Sequence, residues 1–363
     1  MGFSLVLAIA AVSAYSASLG YLNWWQRIGL GILTAIGFVG VFWLSRSTEP
    51  GYVLIFIYFY AWLIGGVILY SSLLLPLLGI VSIVAWKFKK PIIRIRTTWV
   101  LIAIACMFAV VGIFQRSFIK TTYYPLTTNH TELAGLRIAV LADPQFNIAN
   151  NKQFARRITK HVAALSPDLI LLPGDVFDGA TLKWKYLEPE FKKWSQIAPT
   201  FMIPGNHEEY GDYAMFMDLM RRNGITTLED QIISWKGISL VGFKYYGREK
   251  EELGTRVINE LFSREQPTQP MIVLNHEPRY MELFASQSAD LVLHGHTHGG
   301  QFWPMKYIVQ RVYGDYWYGK NTIENTTFIT SSGLGLAAFP SRLFNTPEVV
   351  IIEFQRESAK IAN

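Results

Sequence analysis

Hydrophobic and polar positions divide this chain into two regimes. Before residue 116, apolar residues run almost unbroken through four stretches, 3–22, 28–44, 52–86 and 99–114. Three of them are near the roughly 20 residues that carry a helix across a bilayer. The third is longer than one ordinary span and contains Gly65, Gly66 and Pro76, so it reads as a tight helical hairpin or one long broken helix. Trp24, Trp25, Trp43, Trp86 and Trp99 fall near stretch ends, where an aromatic belt places them. The first stretch lacks the basic start of a cleaved signal peptide. The pattern predicts four or five transmembrane helices over 1–116.

From residue 136 the pattern changes to short β-rich runs alternating with amphipathic segments. Strands are predicted over 136–142, 169–173, 201–204, 238–243, 271–274, 291–293, 327–330 and 349–354, and helices over 154–165, 213–222, 251–262 and 279–285. This reads as one layered α/β domain over 136–363, with polar, irregular residues 117–135 as a linker.

Composition sharpens the division. The chain is 51% hydrophobic with net charge +6. Up to Arg116 there are eight bases and one acid, Glu49, so the whole excess belongs to the N-terminal third. The near-neutral remainder argues against a nucleic-acid partner, which would need a basic working face. Residues 87–96 carry five bases and no acid, so the positive-inside rule places that loop in the cytoplasm and everything after about residue 116 on the other side of a cell membrane. Cys106 is the only cysteine, so there is no disulfide framework.

The candidate chemistry lies just after the predicted strands. In order it comprises Asp143 and Gln145 in "LADPQFN", Asp175 in "PGDVFDG", Asn206 and His207 in "IPGNHEEY", His276 in "LNHEP", and His296 and His298 in "LHGHTHGG". Loops at strand ends carry function because a rigid sheet positions them. Five of the seven histidines fall in these loops. Mixed oxygen and nitrogen donors of this kind suit hard-to-borderline divalent metals. A lone "GD" after a strand is usually a turn, and a lone histidine is usually structural; the argument rests on the complete ordered set.

That set resembles the calcineurin-like metallophosphoesterase superfamily, whose pattern is D-x-H, GD, GNH(E/D), H and GHxH. "GHTHGGQ" and "SSGLGLAAFPSRLFNTPEVVIIEF" are similar to its bacterial membrane-anchored branch. The resemblance covers about 136–354 and implies a two-sheet β-sandwich flanked by helices, holding two divalent metal ions. By resemblance, Asp175 bridges the metals, Asp143 and His298 hold the first with position 145 completing it, and Asn206, His276 and His296 hold the second. His207 contacts the phosphate or protonates the leaving group. Asp178, Glu208 and His294 are candidates to support the ligands or touch substrate, His294 lying outside the core motif. Such a pair of cations generates hydroxide at neutral pH and stabilises both oxygens of an in-line displacement.

The departure is Gln145, where the family pattern has histidine. An amide oxygen is neutral and harder than imidazole, which favours Mn²⁺, with Mg²⁺, Fe²⁺ or Zn²⁺ as alternatives. Phosphodiesterases that remodel glycolipid anchors are similar here, showing Asp-Pro-Gln. Pro144 is expected to bias Asp143 towards extended backbone. Aromatic and basic residues over 244–250, 301–306 and 313–320 suit a surface that admits lipid head groups. The expected activity is membrane-bound, metal-dependent hydrolysis of a phosphodiester or phosphomonoester, lipid or lipid-linked. The alternatives are a UDP-diacylglucosamine-type pyrophosphate hydrolase, or a non-catalytic membrane sensor.

Overall fold

The computed structural model describes residues 94–363 apart from 148, 180–183, 338–340 and 357–363, and before residue 94 only scattered positions between 25 and 74. The chain divides into two compact units. One comprises Met1–Gln115 with Phe339–Leu343, the other Arg116–Ala338 with Phe344–Asn363.

In the first unit, helix α1 (Arg94–Gln115) contains the fourth apolar stretch. It turns Ile102, Ala105 and Ala109 into its unit's interior and leaves Val100, Met107 and Phe114 exposed. The backbone N–H of Arg342 donates to the Gly112 carbonyl at 2.9 Å. The expectation of four or five transmembrane helices is corrected here: among the described residues no helix is long and apolar enough to cross a membrane. At 1.5 Å per residue the apolar run 99–114 reaches about 24 Å, short of a hydrocarbon core of about 30 Å. The stretches 3–22 and 28–44, most of 52–86, and the basic loop up to residue 93 lie outside the described residues.

The second unit is built on two six-stranded sheets. Its strands are β1 (Lys120–Thr128), β2 (Arg137–Val140), β3 (Leu169–Leu172), β4 (Thr200–Met202), β5 (Thr226–Thr227), β6 (Gln231–Trp235), β7 (Ile238–Gly242), β8 (Met271–Leu274), β9 (Leu291–His294), β10 (Gly319–Ile323), β11 (Thr326–Thr330) and β12 (Glu348–Arg356). The sheet orders are β1-β12-β2-β3-β4-β5 and β10-β11-β9-β8-β7-β6. Strands β2 to β5 run parallel, as do β7, β8, β9 and β11. Their helices are α2 (Lys152–Leu165), α3 (Glu188–Ile197), α4 (Asn206–Glu209), α5 (Tyr213–Arg222), α6 (Glu251–Glu265), α7 (Met281–Ser286) and α8 (Met305–Tyr313).

The period-2 alternation of each strand explains the layers. Ile138 and Val140 of β2, Leu169 and Leu171 of β3, Ile272 and Leu274 of β8, and Leu291 and Leu293 of β9 form the core between the sheets. The intervening Ala139, Ile170 and Leu172 face the other way, against Phe154, Ile158 and Val162 of α2 and Phe191 and Trp194 of α3. Val273 and Val292 do the same against Ile258 and Phe262 of α6 and Phe284 of α7. Strands covered on both faces read as unbroken apolar runs, which is why they were legible. Burying one such side chain contributes about 1.5–3 kcal/mol.

Residues 117–135 are not an irregular linker throughout. "KTTYYPLTT" forms β1, pairing in parallel with β12 along its whole length. Its β-branched and aromatic residues were the available signal. Pro125 fits because β1 is an edge strand, with one side free of ladder bonds.

Candidate metal centre

Every proposed ligand lies past the carboxyl end of a parallel strand. β2 presents Asp143 and Gln145, β3 presents Asp175, β4 presents Asn206, β8 presents His276, and β9 presents His296 and His298. Because two sheets contribute, the ligands meet along one rim of the sandwich.

The backbone there is unusual. Asp143, Gln145, Asp175, His296 and His298 have φ of 47°, 42°, 54°, 67° and 49°. Five of the seven proposed ligands therefore occupy the left-handed region, which costs non-glycine residues of order 1 kcal/mol or more each and concentrates at functional sites. The extended conformation expected for Asp143 before Pro144 is corrected by this φ. Tertiary hydrogen bonds override the local bias: Asp143 N–H donates to Gly174 O at 3.3 Å, and Gly335 N–H donates to Asp143 O at 2.7 Å. The "SSGLG" loop after β11 presses so closely that a Cβ on Gly333 would stand 2.8 Å from Asp143 Oδ2.

Four donor atoms converge. His276 Nε2 lies 3.2 Å from Asp175 Oδ2 and 3.0 Å from Asn206 Oδ1. His296 Nδ1 lies 2.8 Å from Asn206 Oδ1 and 3.2 Å from His276 Nε2. Asp175, His276 and His296 form a group able to hold a metal ion. His276 Nδ1 is 2.7 Å from the Pro173 carbonyl, which can only accept, so Nδ1 carries the hydrogen. In the neutral imidazole the Nε2 lone pair then faces the other ligands, an outer contact of the kind that orients metal-binding histidines.

Asp143 sits alongside, buried, with both carboxylate oxygens 3.0 Å from His296 N–H. Gln145 is fully buried; its Nε2 donates to Asp175 Oδ2 at 3.3 Å, and its Oε1 has no hydrogen-bond partner among the described residues. His298 is buried in the turn after β9, and its carbonyl accepts from Asn345 Nδ2 at 2.7 Å.

The electrostatics also call for a cation. Burial opposes charge on His276, but Asp175 and Asp143 outweigh it and push its pKa up to about 10. His207 is likewise opposed by burial and pushed up to about 9 by Asp175, Asp178 and Glu208. Burial also works against the Asp175 carboxylate, yet His276 and His207 hold it well below the usual range. Protons on the histidines thus balance buried carboxylates, a balance that a divalent cation would supply instead. His296 is depressed to about 4 by burial and by the charge on His276.

The surrounding candidates have defined contacts. Glu208 accepts from the N–H groups of Gly205, Asp175 and Phe177 at 2.7, 2.9 and 2.9 Å, tying the β3 and β4 loops together. Burial and the neighbouring Asp175 charge push its pKa up to about 7. Asp178 Oδ1 is 3.1 Å from His207 Nδ1, and Asp178 Oδ2 accepts from Asn147 at 3.1 Å. His294 donates through Nδ1 to Asn275 O at 2.6 Å and stacks on Phe328 at 6.3 Å, while burial depresses its pKa to about 4. Those contacts make it a buried packing residue beside the ligand loops.

The aromatic segments 244–250 and 313–320 reach the ligand histidines, and Tyr210, outside both, joins them. Tyr245 stacks on His296 at 6.1 Å, Tyr313 meets His296 edge-on at 6.1 Å, and Tyr210 lies 5.2 Å from His207. Glu277, next to His276, accepts from Tyr313 at 2.9 Å and pairs with Arg279 at 2.8 Å. Tyrosines at scattered positions carry no periodic signal, so only the fold reveals that they meet.

A two-sheet α/β sandwich with convergent oxygen and nitrogen donors on its rim has the groups to hold a divalent cation. Residues 136–300 match the family model described as calcineurin-like phosphoesterase. A Helicobacter pylori metallophosphoesterase is 29% identical over 255 residues, 67% of this chain and 68% of the relative. An Aquifex aeolicus metallophosphoesterase is 28% identical over 190 residues, 51% and 72% of the two chains. A Danio rerio protein named as a transmembrane protein with metallophosphoesterase domain is 22% identical over 292 residues, 75% and 64% of the two chains. Over residues 136–300 the chain is similar to the calcineurin-like phosphoesterases, and its relatives named metallophosphoesterases mark it as a metal-dependent phosphoester hydrolase.

Proposed function

We propose that this hydrolase cleaves a phosphodiester or phosphomonoester, lipid or lipid-linked, at a site holding two divalent cations. The convergence of Asp175, Asn206, His276 and His296 beside Asp143 supports it, because Asp175 Oδ2 meets both His276 at 3.2 Å and Gln145 at 3.3 Å. In this reading Asp175 is shared, Asn206, His276 and His296 hold one cation, and Asp143, Gln145 and His298 hold the other. Bound divalent cations supply polarisation of the phosphoryl oxygens and acidify a water.

The chain's own groups do the rest. His207 is positioned through Nδ1 by Asp178, and its Nε2, 4.0 Å from Asp175 Oδ2, faces the site as proton donor to the leaving oxygen. The unpartnered Gln145 Oε1 fits a ligand role, since rotation about the last torsion exchanges the amide's two ends and turns the oxygen towards Asp175. A neutral oxygen there favours Mn²⁺.

The test is turnover by the purified full chain of bis(p-nitrophenyl) phosphate, p-nitrophenyl phosphate and lipid phosphodiesters, with Mn²⁺, Mg²⁺, Fe²⁺ or Zn²⁺. Asp175→Asn should abolish turnover and leave the protein folded. Retained activity in Asp175→Asn would remove the shared-ligand assignment. Preference for soluble nucleotide-linked pyrophosphates over lipid phosphodiesters would favour the UDP-sugar alternative.

A further inference from the structure

Helix α8 follows the "GHTHGGQ" loop and is fixed to the site at both ends. Its start lies against the glycine turn beyond His298, where a Cβ on Gly300 would meet Lys306 N at 2.6 Å. Its end delivers Tyr313, which donates to Glu277 and stands 6.1 Å from His296. None of its residues is buried. Tyr307, Ile308, Arg311 and Val312, at i, i+1, i+4 and i+5, share one arc, and the three uncharged ones are 57%, 52% and 59% exposed. The helix carries Lys306 and Arg311 and no acid. Lys306 Nζ lies 5.0 Å from the Tyr307 ring centroid. Phe344, 65% exposed, immediately precedes Asn345, which donates to the carbonyls of His298 and Gly299.

We propose that this arc docks on an anionic lipid surface and sets the mouth of the metal centre against it; the proposal rests on the lipid reading of the substrate and deepens it. A short arc of aliphatic and aromatic side chains with cations and no acid matches shallow insertion at the head-group boundary. Three apolar side chains are too few for a stable protein interface, which covers about 800 Å² on each partner. Tyr313 and Glu277 then connect the docked surface to the ligand His296 and its neighbour His276. A phosphate held in a membrane enters beside them without leaving the lipid.

The experiment labels Val312→Cys with an environment-sensitive dye, in a full chain carrying Cys106→Ser. The labelled chain is mixed with phosphatidylcholine vesicles with or without phosphatidylglycerol. Emission should shift to the blue on the anionic vesicles and be quenched by lipids spin-labelled in the acyl chain. Arg311→Glu should weaken that response. An unchanged label on anionic vesicles overturns the proposal, and an equal response on neutral vesicles overturns the anionic assignment. The doubly changed Ile308→Ser, Val312→Ser chain should lose about tenfold in turnover of a vesicle-borne phosphodiester while keeping its rate on soluble bis(p-nitrophenyl) phosphate. Equal loss on both substrates, or loss on neither, also overturns docking and leaves the phosphoesterase reading intact. If the parent turns over no phosphodiester at all, the functional reading fails, while the label still decides whether α8 docks.

Discussion

Glu208→Ala removes one carboxylate on which three backbone N–H groups depend, those of Gly205, Asp175 and Phe177. All three belong to the loops that present Asp175 and Asn206, and Glu208 is fully buried. A buried donor left without an acceptor costs about 1–3 kcal/mol, so three set an upper range of about 3–9 kcal/mol. Two effects reduce this. The carboxylate's own burial cost, visible in a pKa pushed up to about 7, is relieved, and the vacated volume can admit water. The expected loss is therefore about 3–5 kcal/mol. Glu208→Gln discriminates the mechanism. Its amide oxygen can serve the two N–H groups now on Oε2, but its amino end then opposes the Phe177 N–H, for about 1–3 kcal/mol. Urea unfolding followed by hydrogen exchange in peptides covering 170–178 and 201–210 gives both values. Stability should rank parent above Gln above Ala, with the Ala protein retaining less metal even where folded. An Ala variant within about 1 kcal/mol of the parent, or a Gln variant less stable than Ala, would refute the three-donor argument.

Other expectations follow from the same geometry. Gln145→His should tighten metal binding and shift preference from Mn²⁺ towards Zn²⁺, while Gln145→Ala should weaken it without unfolding; identical metal titrations for all three proteins would exclude Gln145 as a ligand. His207→Ala should slow hydrolysis of alkyl phosphodiesters by about 10²–10⁴-fold and of p-nitrophenyl esters far less, because p-nitrophenolate leaves without a proton; equal losses would remove the proton-donor role. Gly205→Ala should strip metal, since its Cβ would stand 2.7 Å from Asp175 N and 2.8 Å from His276 Cε1; unchanged metal content would show that the loops yield. Chelation should lower the unfolding temperature, because bound cations stabilise only the folded site, and metal should restore it; no change would show that the site is not loaded in the purified protein.

The sequence by itself determined the elements whose signal is local. Unbroken apolar runs at 169–172, 271–274 and 291–293 specified strands buried on both faces, and the order Asp143, Asp175, Asn206, His276, His296, His298 marked the loops that would meet. The apolar N-terminal third was just as visible, but hydropathy reports only that residues avoid water, and no described helix there spans a bilayer. Strand β1 carries a local signal in its threonines and tyrosines, but its ladder with β12 joins residues more than 200 positions apart, so only the fold gives that run a partner. Only tertiary structure decided the left-handed backbone at Asp143, since hydrogen bonds from Gly335 and to Gly174 outweigh the preference that Pro144 imposes on its neighbour. It also decided that Glu208 serves three N–H groups, that His276 offers Nε2 rather than Nδ1, and that α8 turns an apolar arc outward beside the site. These are properties of where separate segments come together, and burial and directional hydrogen bonds set them once the sheets have packed.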